Sequence, residues 1–191
     1  ATVMVADFDS FQSDGFKVNV TTPSAAHRWG WVALGGSANY AVGNFAGKIT
    51  STGTQKTTLS FQPSAELFIS AGKVSADTTS VHGLCMIGAV SGTTQVAVGY
   101  DATGNAANPT STNRFRSVSK CIAFTQTGAF GTILSDATIS SQDSDGFTLN
   151  YTTVDATARQ IGYIAFGASP AATATTINSG PTRGFKDAAS T

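Results

Sequence analysis

The chain has few side chains of the types that perform catalysis or bind transition metals. In 191 residues it contains two histidines, His27 and His82, two cysteines, Cys85 and Cys121, and a single glutamate, Glu66. The spacings of a zinc site, a phosphate-binding loop, a dinucleotide fingerprint and a nucleophile elbow are all missing. A Cys/His metal site would require all four of those residues to converge from distant positions. We therefore expect no catalytic residue, no metal and no cofactor.

Two weaker patterns involve carboxylates. Asp143-Ser144-Asp145-Gly146 resembles the start of a calcium loop. An alternating strand-like segment follows the glycine directly, however, and the distal glutamate of such a loop is missing. A hairpin turn is the better interpretation. Glycan cleavage needs two carboxyl groups across the scissile bond. Glu66, the single glutamate, lies in a strand-like segment, so a pair of aspartates would have to be the catalytic groups.

Binding, in contrast to catalysis, has several candidate residues. Aromatic faces and amide or guanidinium groups are the usual contacts to sugars and to other protein subunits. Trp29 alternates with Trp31, which is expected in the core, so Trp29 is expected to face outward. Residues 101–116 are dense in turn formers and are expected to form a long exposed loop. The candidates for an interface or a glycan contact are Trp29, Tyr100, Asn105, Asn108, Asn113 and Arg114.

Cys85 and Cys121 each lie within a short apolar, strand-like run. Buried free thiols are one interpretation, because cysteine is among the most frequently buried residues. A disulfide between neighbouring strands is the other, and the sequence does not decide between them.

The elements that must position these residues read as strands. Short runs rich in Val, Ile, Phe, Tyr and Thr recur between clusters of turn-forming residues, and helix signals are nearly absent. The pattern predicts an all-β fold, an antiparallel two-sheet β-sandwich of jelly-roll-like type. The predicted strands are residues 16–22, 29–34, 40–49, 55–61, 65–71, 83–90, 94–100, 117–125, 132–140, 147–153 and 160–166.

The charge balance limits the classes of partner. Eleven basic residues balance eleven acidic ones, and charged residues make up only 12% of the chain. No basic surface is predicted for nucleic acid. No apolar stretch is long enough to span a bilayer, so no membrane insertion is expected. A neutral surface tolerates close packing beside copies of itself, which suits an assembly component.

An internal repeat organises the chain. Residues 13–22 match residues 144–153 without a gap, and residues 30–35 match residues 162–167 one position later. Each copy is predicted to be a β-hairpin whose two strands are joined by a polar loop. We therefore divide the chain into a duplicated hairpin (1–36), a β-sandwich domain (37–170) and an extended tail (171–191). The first hairpin either closes the sandwich or ends a preceding repeat unit.

Parts of the sequence resemble a known family. Val-Gly-Asn-Phe at 42–45, Leu-Ser-Phe-Gln-Pro-Ser-Ala-Glu-Leu-Phe at 59–68 and the second repeat copy are similar to a β-rich domain that recurs in tailed-bacteriophage virion structural proteins. The resemblance covers about 42–167 together with the first hairpin, and it implies a structural or host-facing role. It does not distinguish a tail fibre from a baseplate component or a capsid (head) decoration protein.

Three functional hypotheses follow. The first is a non-enzymatic phage virion protein, located in the extracellular particle, that assembles with copies of itself and with other virion proteins. A host surface glycan is its candidate external ligand. The second is a lectin-like carbohydrate-binding module outside any virion, and the third is a polysaccharide-degrading enzyme.

Overall fold

A computed structural model describes residues 5–22, 39–74, 82–104, 112–126 and 132–167. Within these ranges the chain forms twelve strands and no helix, and every strand pair is antiparallel. In chain order they are β1 (Val5–Gln12), β2 (Gly15–Thr22), β3 (Tyr40–Ala46), β4 (Gly53–Thr58), β5 (Pro63–Ser70), β6 (Gly83–Ser91), β7 (Thr94–Ala102), β8 (Thr112–Ser117), β9 (Ile122–Thr125), β10 (Ile133–Asp143), β11 (Gly146–Thr153) and β12 (Gln160–Gly167). No helix in the described ranges could cross a membrane. The predicted all-β, antiparallel fold class is confirmed.

The chain divides into two compact units, Ala1–Gly36 and Ser37–Thr191. In the first unit the described residues form a two-stranded sheet, β1–β2. The second unit contains a four-stranded sheet in the order β4-β11-β10-β9 and a six-stranded sheet in the order β3-β12-β5-β6-β7-β8.

The two sheets of the second unit share one core because their strands alternate in sequence. In β11, Phe147, Leu149 and Tyr151 are buried while the intervening residues point away from the core, as a half-buried strand requires. The ring of Phe147 meets that of Phe68 from the six-stranded sheet at 5.6 Å between centroids. Tyr163 packs on the same Phe147 ring at 5.5 Å. Aromatic side chains therefore fill the space between the sheets.

Residues 147–153 and 160–166 do not pair as predicted, because β11 and β12 lie in different sheets. β11 pairs with β10 and β4, whereas β12 pairs with β3 and β5. The intervening loop carries the chain from one sheet to the other. There Arg159 Nε donates to Asp155 Oδ2 at 2.7 Å and Arg159 Nη1 donates to the carbonyl of Gly72 at 2.6 Å. The hairpin of this region is β10–β11, with the turn at Asp143–Gly146.

Two further predictions differ from the structure, and the structure contains one strand that was not predicted. The exposed loop predicted at 101–116 is wrong at both ends, because β7 continues to Ala102 and β8 begins at Thr112. The strand predicted at 117–125 is broken where the hydroxyl of Ser117 accepts the amide of Ser119 at 3.1 Å, a local bond that competes with strand pairing. β1 was not predicted. The strand predicted at 29–34 and the tail at 171–191 lie outside the described residues.

The two hairpins β1–β2 and β10–β11 have the same register. Ala6 pairs with Val20 and Ala137 with Tyr151, each 131 positions later, and the same offset holds for every other pair in the two ladders. Both ladders also shift register at equivalent places, between Phe8 and Ser10 and between Ile139 and Ser141.

Candidate interaction surface

The two sheets of the second unit have chemically different outer faces. The four-stranded sheet presents hydroxyl, amide and ammonium groups, and Lys56 pairs there with Asp145 at 2.6 Å. These outward residues are Thr54, Lys56, Thr58, Thr138, Asn150 and Thr152. An antiparallel sheet with one solvated face normally carries such residues on that side. The outer face of the six-stranded sheet does not follow this rule.

We call that second surface the apolar face. It is formed by outward side chains of β3, β12, β5, β6 and β7, which are Val42, Ile164, Leu67, Ile69, Cys85, Ile87, Val98 and Tyr100. Val42 is 70% exposed and Ile69 is 56% exposed. The same strands place Phe68, Met86 and Ala97 in the core, so these strands are apolar on both sides.

Strand register makes the apolar face continuous. Ile69 lies opposite Ile87, and Ile87 lies opposite Val98. One row away, Ile164 lies between Val42 and Leu67. Because paired strands are about 4.8 Å apart, neighbouring side chains within each row are in reach of one another.

A shallow depression of about 360 Å³ lies at the β8 end of the apolar face. Cys85 is the register partner of Tyr100, and Tyr100 is the register partner of Arg114. The depression thus combines an exposed aromatic ring, a guanidinium group and an aliphatic floor that includes Ile87 and Val98. Two candidates chosen from sequence, Tyr100 and Arg114, are brought together here.

Asn113 is not at this surface. It is only 5% exposed, and its amide donates to Asp101 Oδ1 at 2.9 Å. Asp101 is itself fully buried and is the register partner of Asn113 across β7 and β8. The polar pair is therefore enclosed and joins two strands, and the proposed surface contact through Asn113 is wrong. Trp29, Asn105 and Asn108 lie outside the described residues.

Cys85 and Cys121 are both free thiols, so they form no disulfide. Only one of the two is buried, so the interpretation as two buried thiols does not hold for the pair either. Cys121 is buried in the core, where its thiol donates to the carbonyl of Ala137 at 3.4 Å. Burial raises the pKa of Cys121 to about 12. Cys85 is exposed on the apolar face instead of buried. The strand-like run around Cys85 has two apolar sides, which is why the sequence did not show which side was covered.

Carboxylates do not line the depression. Glu66 of β5 is buried, and Gln142 Nε2 donates to its Oε1 at 3.2 Å and to its Oε2 at 3.0 Å. Burial raises the pKa of Glu66, while the bonds from Gln142 act in the opposite direction. A second depression, next to Gln62 and Ser141, also lacks Asp and Glu in its lining. In the described ranges, no three His, Cys, Asp or Glu side chains are grouped to hold a metal.

The aliphatic residues of the apolar face were missed by reasoning from sequence. A signal was present, since Leu84-Cys85-Met86-Ile87 is apolar at both alternating positions. Continuous apolar runs are typical of strands covered on both sides.

No family model, curated protein or solved structure matches the chain.

Proposed function

We propose that the chain is a non-enzymatic structural protein of a bacteriophage virion, a tail, fibre or capsid-decoration component that assembles with copies of itself through the apolar face. The observation that carries self-assembly is the contrast between the two outer faces. One sheet is polar outside, as solvent requires, and the other exposes Ile, Leu and Val in rows. The resemblance of residues 42–167 to phage structural domains supports the virion as the place of assembly.

The size of the apolar face suits a stable interface. The five strands of the apolar face and the neighbouring β8, about 4.8 Å apart and about seven residues long at about 3.4 Å per residue, together present an outer surface of roughly 700 Å². Standard protein interfaces bury about 800 Å² on each partner. Apolar residues at the centre and arginines at the edge, such as Arg114 and Arg116, match the usual distribution of residue types in interfaces.

The proposed fold of the second unit is a β-sandwich related to the jelly roll. Consecutive strands β3 and β4 lie in different sheets, as do β11 and β12, and β3 pairs with β12 while β4 pairs with β11. An antiparallel ribbon thus passes from one sheet to the other, which is a feature of jelly rolls and Greek keys. The equal registers of β1–β2 and β10–β11 support a duplicated hairpin, formed with the strand before the Asp-Gly turn.

The experiment that tests self-assembly is light scattering of the full chain and of two lysine variants. Ile69→Lys places an ammonium group on β5, the central strand of the apolar face, and is expected to convert a discrete oligomer into a monomer. Thr58→Lys makes the same change on the polar outer face and is expected to leave the oligomer intact. A monomeric parent chain at high micromolar concentration, or equal behaviour of the two variants, contradicts assembly through this face.

Location in the particle is tested separately. An antibody against the chain is expected to label intact virions of the phage that encodes it, at a regular position and in many copies. Purified virions that lack the chain in quantitative mass spectrometry would rule out the virion role, even if the chain forms oligomers.

A carbohydrate-binding module is the second candidate, favoured by the adjacency of Tyr100 and Arg114. A sugar ring can stack on the tyrosine while the guanidinium donates to its hydroxyls. Tyr100→Ala is then expected to abolish binding on a glycan array, whereas Tyr40→Ala is the matched control, since both tyrosines are 44% exposed on the same sheet. Absence of glycan binding by the parent chain eliminates this candidate.

A further inference from the structure

The hairpin β1–β2 has the strand register and the apolar pattern of β10–β11, yet it is not covered in the same way. Val18 is 40% exposed, whereas Leu149 at the equivalent position is fully buried. Val20 is 45% exposed, whereas its equivalent Tyr151 is 1% exposed. The inward face of β10–β11 is thus the centre of a core, whereas Val18 and Val20 of β2 are exposed at positions whose equivalents are buried.

The edge of the hairpin differs as well. In the second unit β11 is a central strand, paired with β10 on one side and with β4 on the other. Among the described residues β2 pairs with β1 alone. An apolar strand with an open edge is a template for pairing with another strand. The second unit shows what kind of strand belongs there, because β4 occupies that place beside β11.

The second unit also shows what covers the apolar face of such a hairpin. Phe147 of β11 packs on Phe45 of β3 at 6.2 Å and on Phe68 of β5 at 5.6 Å between ring centroids. The matching position in β2 is Phe16. The surface that fits the hairpin is therefore an acceptor made of β3–β9. Strands β10, β11 and β12 close that acceptor, and we call them the closing segment.

The sequence has one more closing segment than it has acceptors. Residues 5–22 correspond to β10 and β11 through the register, and residues 30–35 match β12 in sequence. The 191 residues thus contain two closing segments and one acceptor, and the acceptor is filled by its own β10–β12. A second copy of the chain brings the same surplus, so self-association does not supply a vacant acceptor.

The repeat period shows where the missing acceptor belongs. The two hairpins are 131 positions apart, and residues 37–167, which run from the end of the first copy to the end of the second, contain one acceptor followed by its closing segment. We propose that residues 1–36 are the closing segment of a second domain of the same kind, and that β1–β2 docks on an acceptor of β3–β9 equivalents located upstream in the same polypeptide. The inference does not depend on the virion role.

The test supplies that acceptor. Residues 37–131 are fused directly before Ala1 of the full chain, since residue 132 is the position equivalent to residue 1. Protection of the β2 amides from hydrogen exchange is expected to rise on the order of 100-fold. The only tryptophans, Trp29 and Trp31, lie in the first closing segment, and their emission is expected to shift to shorter wavelength as that segment becomes buried.

A matched fusion and two variants control the result. A fusion of residues 37–167 adds a domain already closed by its own segment, so β2 is expected to stay unprotected. In the 37–131 fusion, Val18→Asn is expected to abolish protection, and Asn19→Lys on the opposite face of the same strand to retain it. Equal protection of β2 in the two fusions, whether or not the added acceptor folds, overturns the inference. The inference is also overturned if β2 is already protected in the unfused chain and Val18→Asn removes that protection, because the occupant is then a second copy.

Discussion

Gly88, in the centre of β6, lies directly beneath the segment that leads into β9. A Cβ atom placed on Gly88 would be 1.7 Å from the backbone carbonyl oxygen of Cys121. Gly99, on the neighbouring strand β7, is less crowded, with the carbonyl of Ala123 at 3.1 Å. Gly83, in the same strand as Gly88, has its nearest neighbour, Tyr100 Cε1, at an ordinary 3.7 Å. Three glycine-to-alanine variants therefore form a graded series.

The geometry sets the expected magnitudes. A non-bonded carbon and oxygen need more than 3 Å, so Gly88→Ala must displace the chain at Cys121 by over 1 Å. That movement separates the fully buried Cys121, Ile122 and Ala123 from their core contacts. Overpacking against backbone costs about 3 kcal/mol or more. Gly99→Ala is expected to cost about 1 kcal/mol, and Gly83→Ala to be neutral or to stabilise by about 0.5 kcal/mol, since glycine weakens a strand.

Thermal and urea unfolding of the three variants measure the series. At about 3 °C per kcal/mol for a domain of this size, Gly88→Ala is expected to lower the Tm by about 10 °C. Gly99→Ala is expected to lower it by a few degrees, and Gly83→Ala to leave it unchanged or raised. A Gly88→Ala protein as stable as Gly83→Ala would refute the close approach of β9 to the six-stranded sheet.

Two further predictions concern titratable groups. Burial raises the pKa of Glu66 above its ordinary 4.5, so its contribution to stability is present below pH 4.5 and is lost as the pH rises through the raised value. In urea unfolding between pH 4 and 8, the parent is expected to lose stability relative to Glu66→Gln, and parallel curves contradict this. In thiol titration of dilute native protein, Cys85 is expected to react and Cys121 only after unfolding. Two fast thiols refute the burial of Cys121.

Alternation made most strands predictable from sequence. Phe147-Thr148-Leu149-Asn150-Tyr151 reads as one buried and one solvated side, and the structure places it so. β1 escaped prediction because Asp7, Asp9 and Ser10 interrupt its apolar residues, and β8 because turn-forming residues precede it. Its pairing with β7 includes a buried contact between Asn113 and Asp101, which local propensity does not report.

The site was less predictable than the fold. Tyr100 and Arg114 were chosen for their chemistry, and their proximity depends on the β7–β8 register, a long-range property. The apolar face was missed because Ile69, Ile87 and Val98 read equally well as core residues. In a strand that is apolar at every position, no alternation of apolar and polar residues distinguishes the outer side from the inner side. The pairing of β11 with β12 was predicted wrongly for a different reason. A six-residue loop suits both a hairpin and a crossing between sheets.

The closing segment is the last part of its domain to be synthesised. Tyr40 of β3 pairs with Phe166, 126 positions later, and Phe147, Leu149, Tyr151 and Ile161 all leave the ribosome after β3–β9. Contacts between such distant positions form slowly, because a long loop must close first. The inner faces of β5–β7 thus stay uncovered for most of translation, and cooperative folding waits until β12 has emerged. A nascent chain stopped before residue 133 carries the apolar interior without the strands that cover it, which makes it a substrate for chaperones and for aggregation.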